Sequence, residues 1–282
     1  MEFKFDSIGS ISKEDLSAKA KEITASQLNI LNEHDALRLA LSCIDLTSLD
    51  GNDNVQVVQK LCEKALSFKD ESKEIPSVAA VCVYSNFVPI ANKVLGGSGI
   101  QVACVAGGFP SGQGLPGSRV YDVLLAAEAG ADEIDIVFPR GLLFAGEFTK
   151  AFDEVSQMRQ ACKGLKFKVI LESGELTSPL DLCRAAEISI NAGADFIKTS
   201  TGKTSTGSTP EALWIMLQVI HEQYKLTGKR IGLKPSGGIG DPESAIDCIK
   251  LTASVLGSDW LNNTLFRIGA SRLADKIFQK LS

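Results

Sequence analysis

The sequence predicts an α/β protein built as one (β/α)8, or TIM, barrel with a short N-terminal helical extension. Three observations predict it. The chain has 282 residues, near the ~250 typical of such a barrel. Eight short apolar runs alternate with amphipathic stretches, the strand-then-helix order of a parallel sheet. Glycine is abundant (25) and proline is not (9), which suits many tight βα turns better than flexible linkers. An open doubly wound sheet is the runner-up, but no Gly-x-Gly-x-x-Gly follows the first strand.

Residues 1–30 are polar and hold one expected helix, around 13–23; the barrel then occupies 31–282. Strands are expected at 43–46, 78–84, 101–105, 133–138, 167–171, 196–199, 231–234 and 266–269. Helical patterns fill the gaps, among them 120–129, 180–192, 210–223 and 242–251. Pro210 and Pro242 stand where a first helical turn begins, where a missing N–H costs nothing. Gly193 follows a helical run in the C-cap place. Glu128-Ala129-Gly130-Ala131-Asp132 and Asn191-Ala192-Gly193-Ala194-Asp195 echo each other, and read as one turn solution used twice.

Composition excludes several classes. Hydrophobic residues make up 44% and charged residues 22%, the balance of a globular domain with a sizeable core rather than a disordered chain. A net charge of −5 provides no global field for nucleic acid. The seven cysteines include no Cys-x-x-Cys pair and sit mostly in apolar runs, as reduced thiols of a cytoplasmic protein do. His34 and His221 are far apart, so no zinc site is expected. The N-terminus lacks the apolar core of a signal peptide, and no run of 18 apolar residues would span a membrane.

Active residues of such a barrel lie at the C-terminal strand ends. Those ends carry Asp45 on strand one, Asp135 on strand four, Lys168 and Glu172 on strand five, Lys198 on strand six and Lys234 on strand seven. A buried charge is costly unless paired, and two lysines on neighbouring strands depress each other's pKa. A lysine must lose its proton to attack a carbonyl, so Lys198, Lys234 and a facing Asp135 suit imine chemistry. The alternative is a buried ion pair that only holds the barrel together. Asp45 reads either as a partner of one lysine or as a turn cap. Period-two alternation puts Glu133 and Asp135 on one face of strand four. Thr201-Gly202-Lys203, Ser236-Gly237-Gly238 and Ile268-Gly269-Ala270-Ser271 follow strands six, seven and eight, where barrels cradle phosphate on backbone N–H groups. The residues thus point to a metal-free barrel enzyme that handles a phosphorylated carbonyl compound.

Phe196-Ile197-Lys198-Thr199-Ser200-Thr201-Gly202-Lys203 resembles the Schiff-base motif of the deoxyribose-phosphate aldolase family, and Gly232-Leu233-Lys234-Pro235-Ser236-Gly237-Gly238 resembles its second-lysine motif. Gly130 to Pro139 is similar to its aspartate strand, and Arg267-Ile268-Gly269-Ala270-Ser271 is a further match. The resemblance runs from about Leu31 to the end. It implies reversible cleavage of 2-deoxy-D-ribose 5-phosphate to D-glyceraldehyde 3-phosphate and acetaldehyde, without a cofactor. It implies Lys198 as the imine-forming nucleophile, Lys234 as the lysine that lowers its pKa, Asp135 as the acid/base acting through a water, and Asp45 as the partner of Lys234. Thr201, Gly202, Lys203, Gly237, Gly238, Gly269, Ser271 and Arg272 are expected to hold the phosphorylated substrate, with Lys168 and Cys82 beside it. Gly240 stands where some relatives have Arg, and Arg272 where some have Ser, as if the charge had moved one loop on. The tail lacks the closing Tyr of some members. The expected partner is a small phosphorylated sugar, with no nucleic acid or membrane, and a homodimer is the assembly to test. Two readings compete: another Schiff-base sugar-phosphate aldolase, and a barrel retained as a scaffold with weak turnover.

Overall fold

Valine, isoleucine and cysteine runs bounded by turn residues form all eight expected strands in the structure, a computed structural model that describes residues 2–27, 30–176 and 178–282. The strands are β1 Ile44–Thr47, β2 Ala80–Tyr84, β3 Gln101–Ala106, β4 Glu133–Val137, β5 Lys166–Ile170, β6 Phe196–Lys198, β7 Gly232–Lys234 and β8 Ile268–Ala270. Their ends lie within one or two residues of the sequence reading. Each strand is parallel to the next, and β8 pairs with β1 through Asp45↔Gly269 and Leu46↔Ala270. The β7–β8 seam closes through bridges Leu233↔Phe266 and Ser236↔Gly269, with the Gly269 N–H donating to the Pro235 carbonyl at 2.8 Å. The sheet is therefore a closed barrel, not the open doubly wound alternative.

Helices α1 Asp6–Gly9, α2 Lys13–Ala25 and α3 Glu33–Ser42 precede β1. The barrel helices are α4 Val55–Ser67, α5 Val88–Leu95, α6 Pro116–Glu128, α7 Arg140–Phe144, α8 Phe148–Ala161, α9 Pro179–Asn191, α10 Pro210–Thr227, α11 Pro242–Leu256 and α12 Leu273–Leu281. Proline opens α6, α9, α10 and α11, and Thr209 and Asp241 accept the first-turn N–H groups of α10 and α11 at 3.2 and 2.8 Å. The first four-residue turn, α1, was outside the sequence reading because so short a helix has no periodicity to detect. No helix among the described residues is long and apolar enough to cross a membrane.

The echoed strings are one device used twice. Gly130 and Gly193 adopt φ of 93° and 103°, which ends the helix, and an aspartate follows two residues later. Asp132 accepts from the Val102 N–H at 2.8 Å and its own N–H donates to the Val102 carbonyl at 2.8 Å. Asp195 does the same with Phe167 of β5, at 2.9 Å both ways. Each aspartate thus fixes the register of a neighbouring strand at the N-terminal face.

The outer strand faces and the helices share the main apolar core. Inside the barrel a small apolar cluster of Leu49, Ala80, Cys82, Ala103 and Val105 fills the side of β2 and β3. The opposite side holds Phe196 low down and charged residues above it. Gly232 pairs with Phe196, and a Cβ at 232 would collide with the Phe196 ring. Gly232→Ala is accordingly expected to cost about 1–3 kcal/mol of stability through overpacking, read as a lower denaturant midpoint.

Candidate active site

Alternation along five strands brings the buried charges together. Asp45, Glu133, Asp135, Lys168, Lys198, Lys234 and Arg267 are all buried in the barrel interior. Lys198 and Lys234 are register partners, as are Asp135 and Lys168. The Asp135 carboxylate lies at the centre: it accepts from Lys168 Nζ on one oxygen and from Lys198 Nζ and Lys234 Nζ on the other, each at 2.8 Å. Asp45 Oδ2 lies 2.5 Å from Lys234 Nζ, which selects the ion-pair reading of Asp45 over the turn cap. Below them Arg267 joins Asp45 at 2.6 Å to Glu133 at 2.8 Å, and Glu133 also holds Lys168 at 2.6 Å.

Three buried carboxylates thus face four buried cations, with the partly exposed Lys166 a fifth at 3.4 Å from Glu133, so cations are in surplus. Burial favours the neutral form of every lysine here, but the outcomes differ. Asp135 and Asp45 overcome burial at Lys234 and lift its pKa, and Asp135 and Glu133 do so at Lys168. Lys198 has Asp135 alone as an ion-pair partner among the described residues. Burial prevails there: against Asp135 and with the help of the Lys234 cation, it lowers the Lys198 pKa below the ordinary 10.5. Burial would raise the Asp135 carboxyl, but Lys168, Lys198 and Lys234 hold it well below 3.8. The lysine nearest to neutrality is therefore Lys198.

Lys198 is also the lysine of the network that reaches the surface. It forms the floor of a cleft of about 490 Å³ walled by Ser48, Gly202, Gly237, Gly240, Ser271 and Arg272, among others. Thr201, Lys203, Gly238 and Gly269 complete the expected wall. The N–H groups of Gly202, Gly237 and Gly238 make no hydrogen bond to a described residue, and all three glycines have φ of 77–81°. Three N–H donors on the cleft wall are thus left without a partner among the described residues. Lys203 adds an ammonium, in an exposed pair with Asp50 at 3.0 Å, and Arg272 adds a guanidinium with no ion-pair partner among the described residues.

Four expected substrate contacts stand differently. Lys168 is fully buried beneath the cleft, engaged by Asp135 and Glu133, so it belongs to the network and not to the wall. Cys82 lies in the apolar half of the barrel, off the wall, and burial pushes its thiol up. Gly269 lines the cleft, but its N–H is taken by Pro235; it is small because a Cβ would come 2.8 Å from Ser236 Cβ and 3.3 Å from Lys234 Cε. The Thr201 N–H and hydroxyl both go to Glu172.

The sequence reading did not assign a role to Glu133, Arg267 or Glu172. Glu133 was signalled by its shared face with Asp135, and Arg267 by a charge inside Phe266-Arg267-Ile268. Among the described residues no cluster of three His, Cys, Asp or Glu side chains is arranged to hold a metal ion.

A closed parallel barrel with a lysine–carboxylate network at its C-terminal strand ends, one lysine opening into a glycine-walled cleft, defines a barrel enzyme of the lysine-nucleophile class. The sequence profile of the DeoC/LacD family aldolases matches residues 39–252. The chain belongs to that family, and is an aldolase, a carbon–carbon lyase. It is similar to the deoxyribose-phosphate aldolases of Mus musculus (40% identical over 253 residues, 86% of this chain and 79% of the mouse protein) and Homo sapiens (40% over 255 residues, 86% and 79%). Among solved structures it is similar to QR15, an aldolase (27% identity, TM-score 0.69, 86% of this chain and 96% of that one). The tetrameric deoxyribose phosphate aldolase from Aeropyrum pernix shares the fold (24% identity, TM-score 0.68, 96% and 98%).

Removing the central carboxylate leaves Lys198 without a counter-ion among the described residues and takes one of two from each of Lys168 and Lys234. Asp135→Asn should cost about 3–5 kcal/mol at neutral pH. The Asp135 contribution is complete above the ordinary 3.8 and is lost as pH falls toward its lowered value. Chemical denaturation at several pH values should show the gap between wild type and variant constant above pH 4 and narrowing below it.

Proposed function

We propose that the chain cleaves 2-deoxy-D-ribose 5-phosphate, reversibly, to D-glyceraldehyde 3-phosphate and acetaldehyde through an imine on Lys198. One observation carries the reading: the buried lysine with a lowered pKa is also the one open to the cleft. Neutral Lys198 attacks the C1 aldehyde and water leaves, giving an iminium. The C3 hydroxyl loses its proton, the C2–C3 bond breaks, and its electron pair moves into the iminium to give an enamine. Glyceraldehyde 3-phosphate departs, C2 takes up a proton, and water returns to C1 to release acetaldehyde and restore the amine. The imine is its own electron sink, so these steps draw on no cofactor.

Asp135 relays these protons, directly or through a water; its 2.8 Å distance from both Lys198 Nζ and Lys234 Nζ supports that role. Lys234 remains the cation that lowers the Lys198 pKa, and Asp45 keeps it charged. The phosphate rests on the Gly202, Gly237 and Gly238 N–H groups, with Lys203, Ser271 and Arg272 around it. The partner is thus a small phosphorylated sugar rather than nucleic acid or membrane. Seven free, buried thiols support a reducing, cytoplasmic setting. Exposed Leu115, Tyr121, Leu125 and Phe144 offer apolar contacts for a homodimer.

Borohydride reduction in the presence of 2-deoxyribose 5-phosphate should add mass to the peptide holding Lys198. Lys198→Ala should abolish both adduct and acetaldehyde release; an adduct on Lys234 would reverse the assignment. Lys234→Leu removes a cation that lowers the Lys198 pKa, so its pH–rate profile should move alkaline.

Arg272→Ser tests the displaced charge. Losing a charge-assisted bond at an exposed site is expected to raise KM for the phosphorylated sugar about fivefold to tenfold, with the low rate on unphosphorylated deoxyribose unchanged. Equal losses on both sugars would make Arg272 structural.

A further inference from the structure

Glu172, at the exit of β5, is a fully buried carboxylate whose hydrogen-bond partners are all neutral. The Thr201 hydroxyl donates to it at 2.5 Å and the Thr201 N–H at 3.3 Å, while the one Thr204 hydroxyl proton is shared between Glu172 and the Thr206 carbonyl, each 3.2 Å away. Because the Thr201 hydroxyl proton is committed to Glu172, its oxygen is left to accept from the Lys203 N–H, which it does at 3.1 Å. One carboxylate therefore fixes residues 201–204, the segment that carries Gly202 and Lys203 onto the cleft wall. Glu172 does so from φ of +56°, a left-handed backbone where glycine would be cheaper. A side chain kept at that position has a use that outweighs the strain.

The loops beyond it are stacked in series. A Cβ at Gly174 would run into the Thr206 backbone, and a Cβ at Gly207 into the Gly237 backbone. The β5 loop thus bears on the β6 loop, and the β6 loop on the β7 loop, where Gly237 and Gly238 present their donors.

We propose that Glu172 is a positioning residue that sets the preference for phosphorylated substrates: it holds the 201–204 loop so that the Gly202 donor stands with those of Gly237 and Gly238. It does not touch the phosphate and takes no part in the imine steps. The inference rests on the proposed aldolase reading. Its two oxygens act as acceptors facing Thr201 and Thr204, where an amide would put an NH2 donor in place of one of them.

The experiment compares kcat and KM of wild type, Glu172→Gln and Thr204→Val on 2-deoxyribose 5-phosphate and on 2-deoxyribose, with inorganic phosphate as a competing inhibitor. Glu172→Gln should raise KM for the phosphorylated sugar about tenfold and weaken phosphate inhibition in step, with kcat within twofold and kcat/KM on 2-deoxyribose within twofold. Thr204→Val, which removes one donor from a partly exposed position, should raise KM about threefold and serves if Glu172→Gln does not fold. Equal losses on both sugars, or a fall in kcat with KM unmoved, would overturn the proposal. A wild type without preference for the phosphorylated sugar would remove the proposed phosphate site and this inference with it. A wild type with that preference and variants that keep it would overturn this inference alone.

Discussion

The Asp135 carboxylate governs the interior of this barrel. Three lysine Nζ atoms lie 2.8 Å from it, and it is the one carboxylate that all three share. It also sets the differences among them. Lys168 and Lys234 share Asp135 with a second carboxylate and are held as cations, whereas Lys198 has Asp135 alone. A shared counter-ion thereby turns three chemically identical side chains into two permanent charges and one candidate nucleophile. Arg267 completes the arrangement from below by occupying the outer oxygens of Asp45 and Glu133.

The division of the interior into two halves makes this network affordable in space. Alanine, valine and cysteine fill the β2–β3 side with small side chains. The long lysine and arginine chains are buried with the rest of the interior. Gly232 and Gly269 supply the remaining room, one for the Phe196 ring and one for the Lys234 chain. The glycines of the cleft have another task, since Gly202, Gly237 and Gly238 hold left-handed backbone that a side chain would strain.

The strands were legible because apolar runs and turn residues are local signals, and all eight fall where those signals put them. The Lys198, Lys234 and Asp135 constellation was legible because charges inside apolar strands are rare and period-two alternation says which way they face. Arg267 and Glu133 were harder, since each reads as an ordinary strand charge until the barrel closes and sets them 2.8 Å apart. Which glycine N–H groups stay unengaged was not legible: Gly269 and Gly238 look alike in sequence, and only the β7–β8 seam shows that Gly269 has given its donor to Pro235. Lys168 and Cys82 sit on the strands the sequence reading used, Lys168 within the ion network and Cys82 in register with Thr47 of the cleft wall, a distinction that only the closed barrel displays.

The paired Gly-Ala-Asp turns carry a consequence for how such a scaffold tolerates change. Asp132 and Asp195 fasten neighbouring strands at the face opposite the cleft, through backbone groups that no loop substitution at the cleft touches. Strand alignment is thereby insulated from the loops that contact ligand. A library that randomises the cleft loops would sample new pockets on an unchanged frame, because the bonds that align β3 and β5 at the far end lie outside every randomised segment.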